Sequence, residues 1–312
     1  MSQKRVLSRR TLIQAAAGAV MVGAGAVTEA ADDRPVVWYA KTVTKEALIA
    51  LYEKVSPALS GRIGIKIHGG EAAVNYPLFS ALQQHIANSN FVETNWASDF
   101  GGERRHTASH LAEIRRQGVE APVDILDRDE TPADYVTLPV EGGNELTTVE
   151  VPRALVRDYG GIVVLTNFKM PSFAGFTGAV KNIGIGLVSP DAKAAVHGAG
   201  YERSRGFFRR MADAAKGVKA ALGDKLVGIS ILTDIKAQEN CGVKPASGTL
   251  GILASTDPTA LDQAACDLIW SLSEKASRAL TEKVKIDSGY MTLEALEACR
   301  SGSRRYRLET LA

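Results

Sequence analysis

GIVVLTNFKMPSFAGFTGAVKNIGIGLVSPDAKAAVH, Gly161 to His197, carries the fold and the candidate site together. From Ile162 to Leu165, behind the Gly160-Gly161 pair, the run is continuously apolar and mostly β-branched, which is how a strand buried on both faces of an α/β sheet reads. It ends near Asn167. Phe168 to Gly186 then holds two lysines, Lys169 and Lys181, and four glycines, in a segment too interrupted for a long helix and too apolar for a solvated loop. Backbone N–H groups around Gly178, the ammonium groups of Lys169 and Lys181, and the amide of Asn182 can converge there on one anionic group. The carboxyl ends of strands are where open α/β sheets bind ligands. In the competing reading the segment is a Gly-rich connection, its lysines reaching water and Asn182 satisfying buried carbonyls.

Outward from this strand the same alternation repeats. PVVWYA (35–40), GRIGIKIH (61–68), NFVETNW (90–96), APVDILD (121–127), LVGISILTD (226–234) and TLGILAS (249–255) read as further strands. Helical spacing of apolar residues fills 44–55, 75–85, 105–117 and 201–222, and a helix follows Asp257-Pro258. Such a chain predicts one α/β domain over 31–312, with a mixed or mostly parallel sheet and helices on both faces. The polar stretch near 128–152 breaks the alternation, and its ELTTVEV run suggests a surface hairpin or insertion. The tail after Arg300 is basic and polar and receives no element.

Several side chains fall at strand or helix ends. Lys66 and His68 sit two apart at the end of the second strand, hence on one face. His106 and His110 stand four apart, a metal-ligand spacing on a helix, with Arg104 and Arg105 nearby opposing a bound cation; His110 also suits a polar place in a cleft. Asp234 is delivered by a strand to a polar loop holding Cys241, and Asp257 reads as a helix N-cap or a cleft residue. Cys266 belongs to an apolar helical stripe. Cys241, Cys266 and Cys299 include no C-x-x-C pair, so they offer no framework for an iron–sulfur cluster.

The first thirty residues differ from the rest. Arg5, Arg9 and Arg10 precede an uncharged Ala- and Gly-rich run from Thr11 to Val27, and Thr28-Glu29-Ala30 offers a small-residue cleavage site. Ser8-Arg9-Arg10-Thr11-Leu12-Ile13 matches the twin-arginine pattern, so residues 1–30 are expected to direct export to a bacterial periplasm. The run is short of the roughly 20 apolar residues a spanning helix requires, so no stable membrane span is expected after cleavage. With 37 basic and 35 acidic residues scattered along the chain, the net charge of +2 forms no basic face for nucleic acid.

GFTGAVKNIGIG (175–186), the Lys193/His197 pair and GILASTDPTALDQA (251–264) together resemble the bacterial and archaeal domain-of-unknown-function family 362. GIKIHGGE (64–71), ETNWASDFGGERRHTASH (93–110) and DILD (124–127) support the resemblance, in the same order. The resemblance implies an α/β fold and no settled activity. Many members carry a ferredoxin-like cluster insert or a Cys-Asp-Cys run, where this chain has Asn240-Cys241-Gly242, and Lys169-Met170-Pro171 replaces a Lys-Gly-His sequence. A redox partner is an expectation that follows from the family's redox-associated members.

Two functions fit these residues. In an exported enzyme, Lys66, His68, Lys169, Gly178, Lys181 and Asn182 bind a small anionic substrate or cofactor, His197 moves protons, and Asp234 and Cys241 complete the site. His197 and Cys241 can instead share a transition metal. The alternative is a periplasmic binding or accessory protein in which the same lysines hold a small anion and no bond changes.

Overall fold

The computed structural model describes residues 32–69, 76–171, 173–201, 203–235, 248–272 and 287–311. Its first half contains β1 (Val36–Ala40), α1 (Lys45–Val55), β2 (Ile63–Lys66), α2 (Tyr76–His85), β3 (Ser89–Glu93), α3 (Thr107–Arg116) and β4 (Val123–Ile125). Then come β5 (Tyr135–Pro139), β6 (Thr148–Pro152), α4 (Arg153–Arg157), β7 (Gly161–Asn167), α5 (Ala179–Gly184) and α6 (Pro190–His197). The last described elements are α7 (Arg205–Leu222), β8 (Leu226–Leu232), β9 (Gly251–Ser255), α8 (Pro258–Trp270), α9 (Asp287–Ala298) and β10 (Arg307–Thr310).

Eight strands form one sheet in the order β10-β1-β9-β8-β7-β2-β3-β4. Strand β9 is antiparallel to both its neighbours, and every other pair is parallel. Residues 34–312 cluster as one unit. The unbroken apolar run of β7 serves two cores at once: Ile162 and Val164 pack on one face of the sheet, Val163 and Leu165 on the other. The first face is covered by residues such as Phe207 and Val218 of α7 and Leu261 of α8, the second by Leu48 and Leu51 of α1, Leu82 of α2 and Ile114 of α3. Each such side chain, fully buried, stabilises the fold by about 1.5–3 kcal/mol. The α/β architecture with helices on both faces is therefore as the periodicity predicts.

Helix starts follow local chemistry. The hydroxyls of Thr44, Ser189 and Ser204 accept from the amides of Ala47, Ala192 and Phe207 to open α1, α6 and α7. Strands β2, β3, β4 and β8 each end two or three residues earlier than predicted. Beyond Glu93 the Thr94 amide donates to the Glu93 carboxylate and the Asn95 amide to Asp127, which takes both out of the ladder. Beyond Leu232, Asp234 turns with a left-handed φ of 48°. Strands β5 and β6 make a separate antiparallel hairpin within the polar stretch. The unassigned tail supplies β10, which pairs with β1 at the sheet edge.

The connections place the site. From β2 the chain proceeds to β3 and β4 toward one edge, then returns to β7 on the other side of β2 and moves on to β8. The connections leaving β2 and β7 diverge, and a crevice opens beyond their carboxyl ends, Lys66 and Asn167. Among the described residues no helix is long and apolar enough to cross a membrane.

Candidate functional site

A cavity of about 50 Å³ lies at this switch point, walled by the ends of β2 and β3, the loop after β7, α5, α6 and α3. Among the described residues four cationic side chains line it, Lys66, Arg104, Lys181 and Lys193, against a single carboxylate, Glu93. One water requires roughly 10–15 Å³ on this scale, so the space suits a small polyatomic group.

Lys66, the last residue of β2, is 1% exposed, and its Nζ donates to Glu93 Oε1 at 2.6 Å and to the Ile67 carbonyl. Two of its three ammonium hydrogens are thereby used. A Cβ on Gly186 would stand 2.7 Å from Lys66 Cε, so the Gly-rich turn after α5 leaves the lysine its path. Glu93 also accepts from the amides of Gly69 at 3.0 Å and Thr94 at 3.1 Å. Burial alone would raise its pKa, but the Lys66 ammonium beside it holds it below the ordinary carboxylate value. Lys193, on α6, spends all three hydrogens on Thr94 Oγ1 at 2.6 Å, the Val188 carbonyl at 3.0 Å and the Asn95 carbonyl. Burial pulls its pKa down to about 8 against the pull of Asp127 and Glu93.

Arg104 lies over the Trp96 ring, 4.9 Å from its centroid, with Nη1 3.4 Å from His68 Nε2. A guanidinium only donates, so His68 accepts through Nε2 and carries its proton on Nδ1. Burial, together with Lys169, Arg104 and Lys66, pushes His68 well below its ordinary value and keeps it neutral. His110, on α3, is 1% exposed, and among the described residues neither of its ring nitrogens has a hydrogen-bond partner. Burial pushes it down to about 4, with Glu93 opposing. Neutral imidazole offers one N–H and one lone pair, and leaving each unmet costs roughly 1–3 kcal/mol. Half-buried Lys181 reaches Thr177 Oγ1 at 3.3 Å, and Asn182 donates to Thr166 Oγ1 at 2.8 Å.

Of the residues predicted from sequence, Lys66, His68, Lys181, Asn182 and His110 meet at this cavity. Lys169 stands beside it, in an antiparallel bridge to Thr177, close enough to disfavour charge on His68. Gly178 does not serve a ligand, because the amides that follow it, Ala179 and Val180, donate at 2.7 and 2.9 Å to the buried carboxylate of Asp262. A Cβ at Gly178 would lie 2.2 Å from Asp262 Oδ1, which is why glycine stands there. His197 lies off the cavity. Its Nδ1 is 2.7 Å from the Lys193 carbonyl, its ring packs against Trp96, Phe173, Tyr201 and Phe207, and burial pushes it down to about 4.

Asp234 is exposed and does not line the cavity either. Asp257 caps α8 by accepting from Thr259 at 2.8 Å, and its other oxygen accepts from Ser303, so it is not a cleft residue. The His106/His110 pair fails on conformation: His106 is the extended N-cap of α3 and its Nδ1 turns 2.6 Å from Glu130, away from His110. Cys241 lies outside the described residues. Among the described residues no group of three or more His, Cys, Asp or Glu side chains is placed to hold a metal ion. Cys266 is a buried free thiol whose pKa burial raises well above the ordinary value.

Glu93, Arg104 and Trp96 are site residues the sequence reading did not single out, and Lys193 entered it only through the family resemblance. A carboxylate in the middle of an expected strand was the available signal for Glu93. For Asp262 it was an acid inside the buried stripe of α8, between Leu261 and Ala264.

Fold and cavity define an α/β protein with a cation-rich pocket at a topological switch point. The family described as a domain of unknown function (DUF362) matches residues 77–267, more than half of the chain, and the chain belongs to that family. No curated protein matches it. A solved structure of a protein from Thermotoga maritima, a structural-genomics target, aligns at 13% identity with a TM-score of 0.37. The alignment covers 78% of this chain and 59% of that one, so the chain spans about three fifths of that protein's length.

Proposed function

We propose that the chain is exported by the twin-arginine route and binds a small anion, as substrate or cofactor group, in the switch-point cavity. The observation that carries this reading is the surplus of charge among the described residues: four cations to one carboxylate, with both imidazoles neutral. Cations gathered in a partly desolvated crevice repel one another unless a counter-charge joins them, so the arrangement favours anion uptake. Lys66 keeps one ammonium hydrogen, and Arg104 has most of its guanidinium donors, for such a guest. In the enzyme form of the proposal His110, not His197, is the group placed to exchange a proton with the bound molecule.

The binding-only form has one observation in its favour: Lys193, His197 and Asp257 are each engaged in holding the fold rather than facing the cavity with free valences. Calorimetric titration with inorganic phosphate tests anion binding. Arg104→Ala and Lys181→Ala each lower the affinity about tenfold, and equal binding by both variants and the native chain would end the proposal. Cell fractionation tests export. Full-length chain confined to the cytosol would refute that part.

A further inference from the structure

His110 narrows what the anion can be. Two cavity groups with spare hydrogen-bonding capacity offer hydrogens only: Lys66, through its third ammonium hydrogen, and Arg104, through its guanidinium. Two of the acceptors in the wall are already engaged. Glu93 takes Lys66 and two amides, and His68 Nε2 takes Arg104. His110 differs, because a neutral imidazole has one lone pair as well as one N–H, and neither nitrogen has a partner among the described residues. Burial at 1% exposure keeps bulk water from satisfying them.

Resting on the anion-binding reading above, we propose that the ligand is an oxyanion that itself carries an acidic proton, of hydrogenphosphate type, whose O–H donates to the His110 lone pair while its charged oxygens accept from the cations. An anion with acceptors only leaves that lone pair buried and unmet. Both ionic forms of inorganic phosphate present near neutral pH keep at least one P–OH, whereas sulfate has the same shape and none. The same chemistry covers free phosphate and a phosphomonoester, and they differ in one respect: the ester dianion has lost its last proton.

Titration of the full chain with phosphate, sulfate and methyl phosphate, at equal ionic strength and about pH 7, separates these cases. Phosphate is expected to bind about tenfold more tightly than sulfate, the worth of one buried hydrogen bond. Methyl phosphate that matches phosphate near pH 5.5, as monoanion, and weakens as its proton leaves would support the proton requirement for an esterified ligand; binding that strengthens as the proton leaves would overturn it. His110→Leu is expected to bring phosphate down to the sulfate affinity, while His110→Gln, which keeps both a donor and an acceptor, preserves the preference. Phosphate and sulfate binding equally, or a preference unchanged in folded His110→Leu, would overturn the inference. If His110→Leu does not fold, the phosphate-to-sulfate ratio of the native chain decides alone. The two proposals fail separately: with no anion bound at all the cavity reading falls, whereas equal binding that Arg104→Ala weakens for both anions removes only the proton requirement.

Discussion

Two places within a few residues of each other look like anion cradles in the sequence, and the structure treats them oppositely. At the start of α5 the amides of Ala179 and Val180 hold the chain's own carboxylate, Asp262, fully buried. In the next two residues, Lys181 and Asn182 face a cavity where, among the described residues, cations outnumber carboxylates four to one. Donors matched by an acceptor from the same chain build the fold. Donors in surplus are what a ligand can use.

Breaking the matched charges has the largest expected effect. Lys66→Ala strands Glu93 without its partner 2.6 Å away, and denaturant unfolding is expected to show a loss of roughly 3–5 kcal/mol. Asp262→Ala leaves two buried amides without an acceptor, at a cost of about 2–4 kcal/mol in the same measurement. Burial raises the Asp262 pKa to about 7. A raised carboxyl binds its proton more tightly folded than unfolded, so this contribution is present at low pH and is lost as pH rises through about 7. Asp262→Asn, compared with the native chain from pH 4 to pH 8, should remove that decline.

The two buried imidazoles titrate in the other direction. His110 and His197 are both depressed to about 4 by burial, so the unfolded chain takes up their protons first. Their stability contribution is complete above about pH 6.5 and is lost as pH falls toward 4, on the order of 2–3 kcal/mol each. Double replacement by Gln should flatten the stability curve over that window. The smallest effect belongs to the surplus side. Lys181→Ala should change unfolding by about 0.5 kcal/mol or less, because the side chain is only half-buried, while weakening phosphate about tenfold. A large stability loss in that variant would show that Lys181 holds the fold as Lys66 does.

The site was half legible for a physical reason. Lys66, His68, Lys181 and Asn182 follow strands that became neighbours, so strand-end position was enough to find them. Glu93 and Arg104 sat in plain view near another strand end, but nothing in one dimension shows that β3 lies beside β2 and folds its loop over the same crevice. His197 misled because a titratable ring with helical spacing looks the same whether it faces a cavity or four aromatic neighbours. Gly178 misled because the amides that follow it, of Ala179 and Val180, do meet a carboxyl group, and that group comes from Asp262, far along the chain.

By itself the sequence determined the alternation of strands and helices, the two-faced burial of β7 and the capped helix starts, because apolar period and capping chemistry are local. Only the tertiary structure decided which charges cancel. Strand order and the close approach of α8 to α5 set the distances between groups far apart in the chain, and electrostatic pairing depends on those distances, not on residue type.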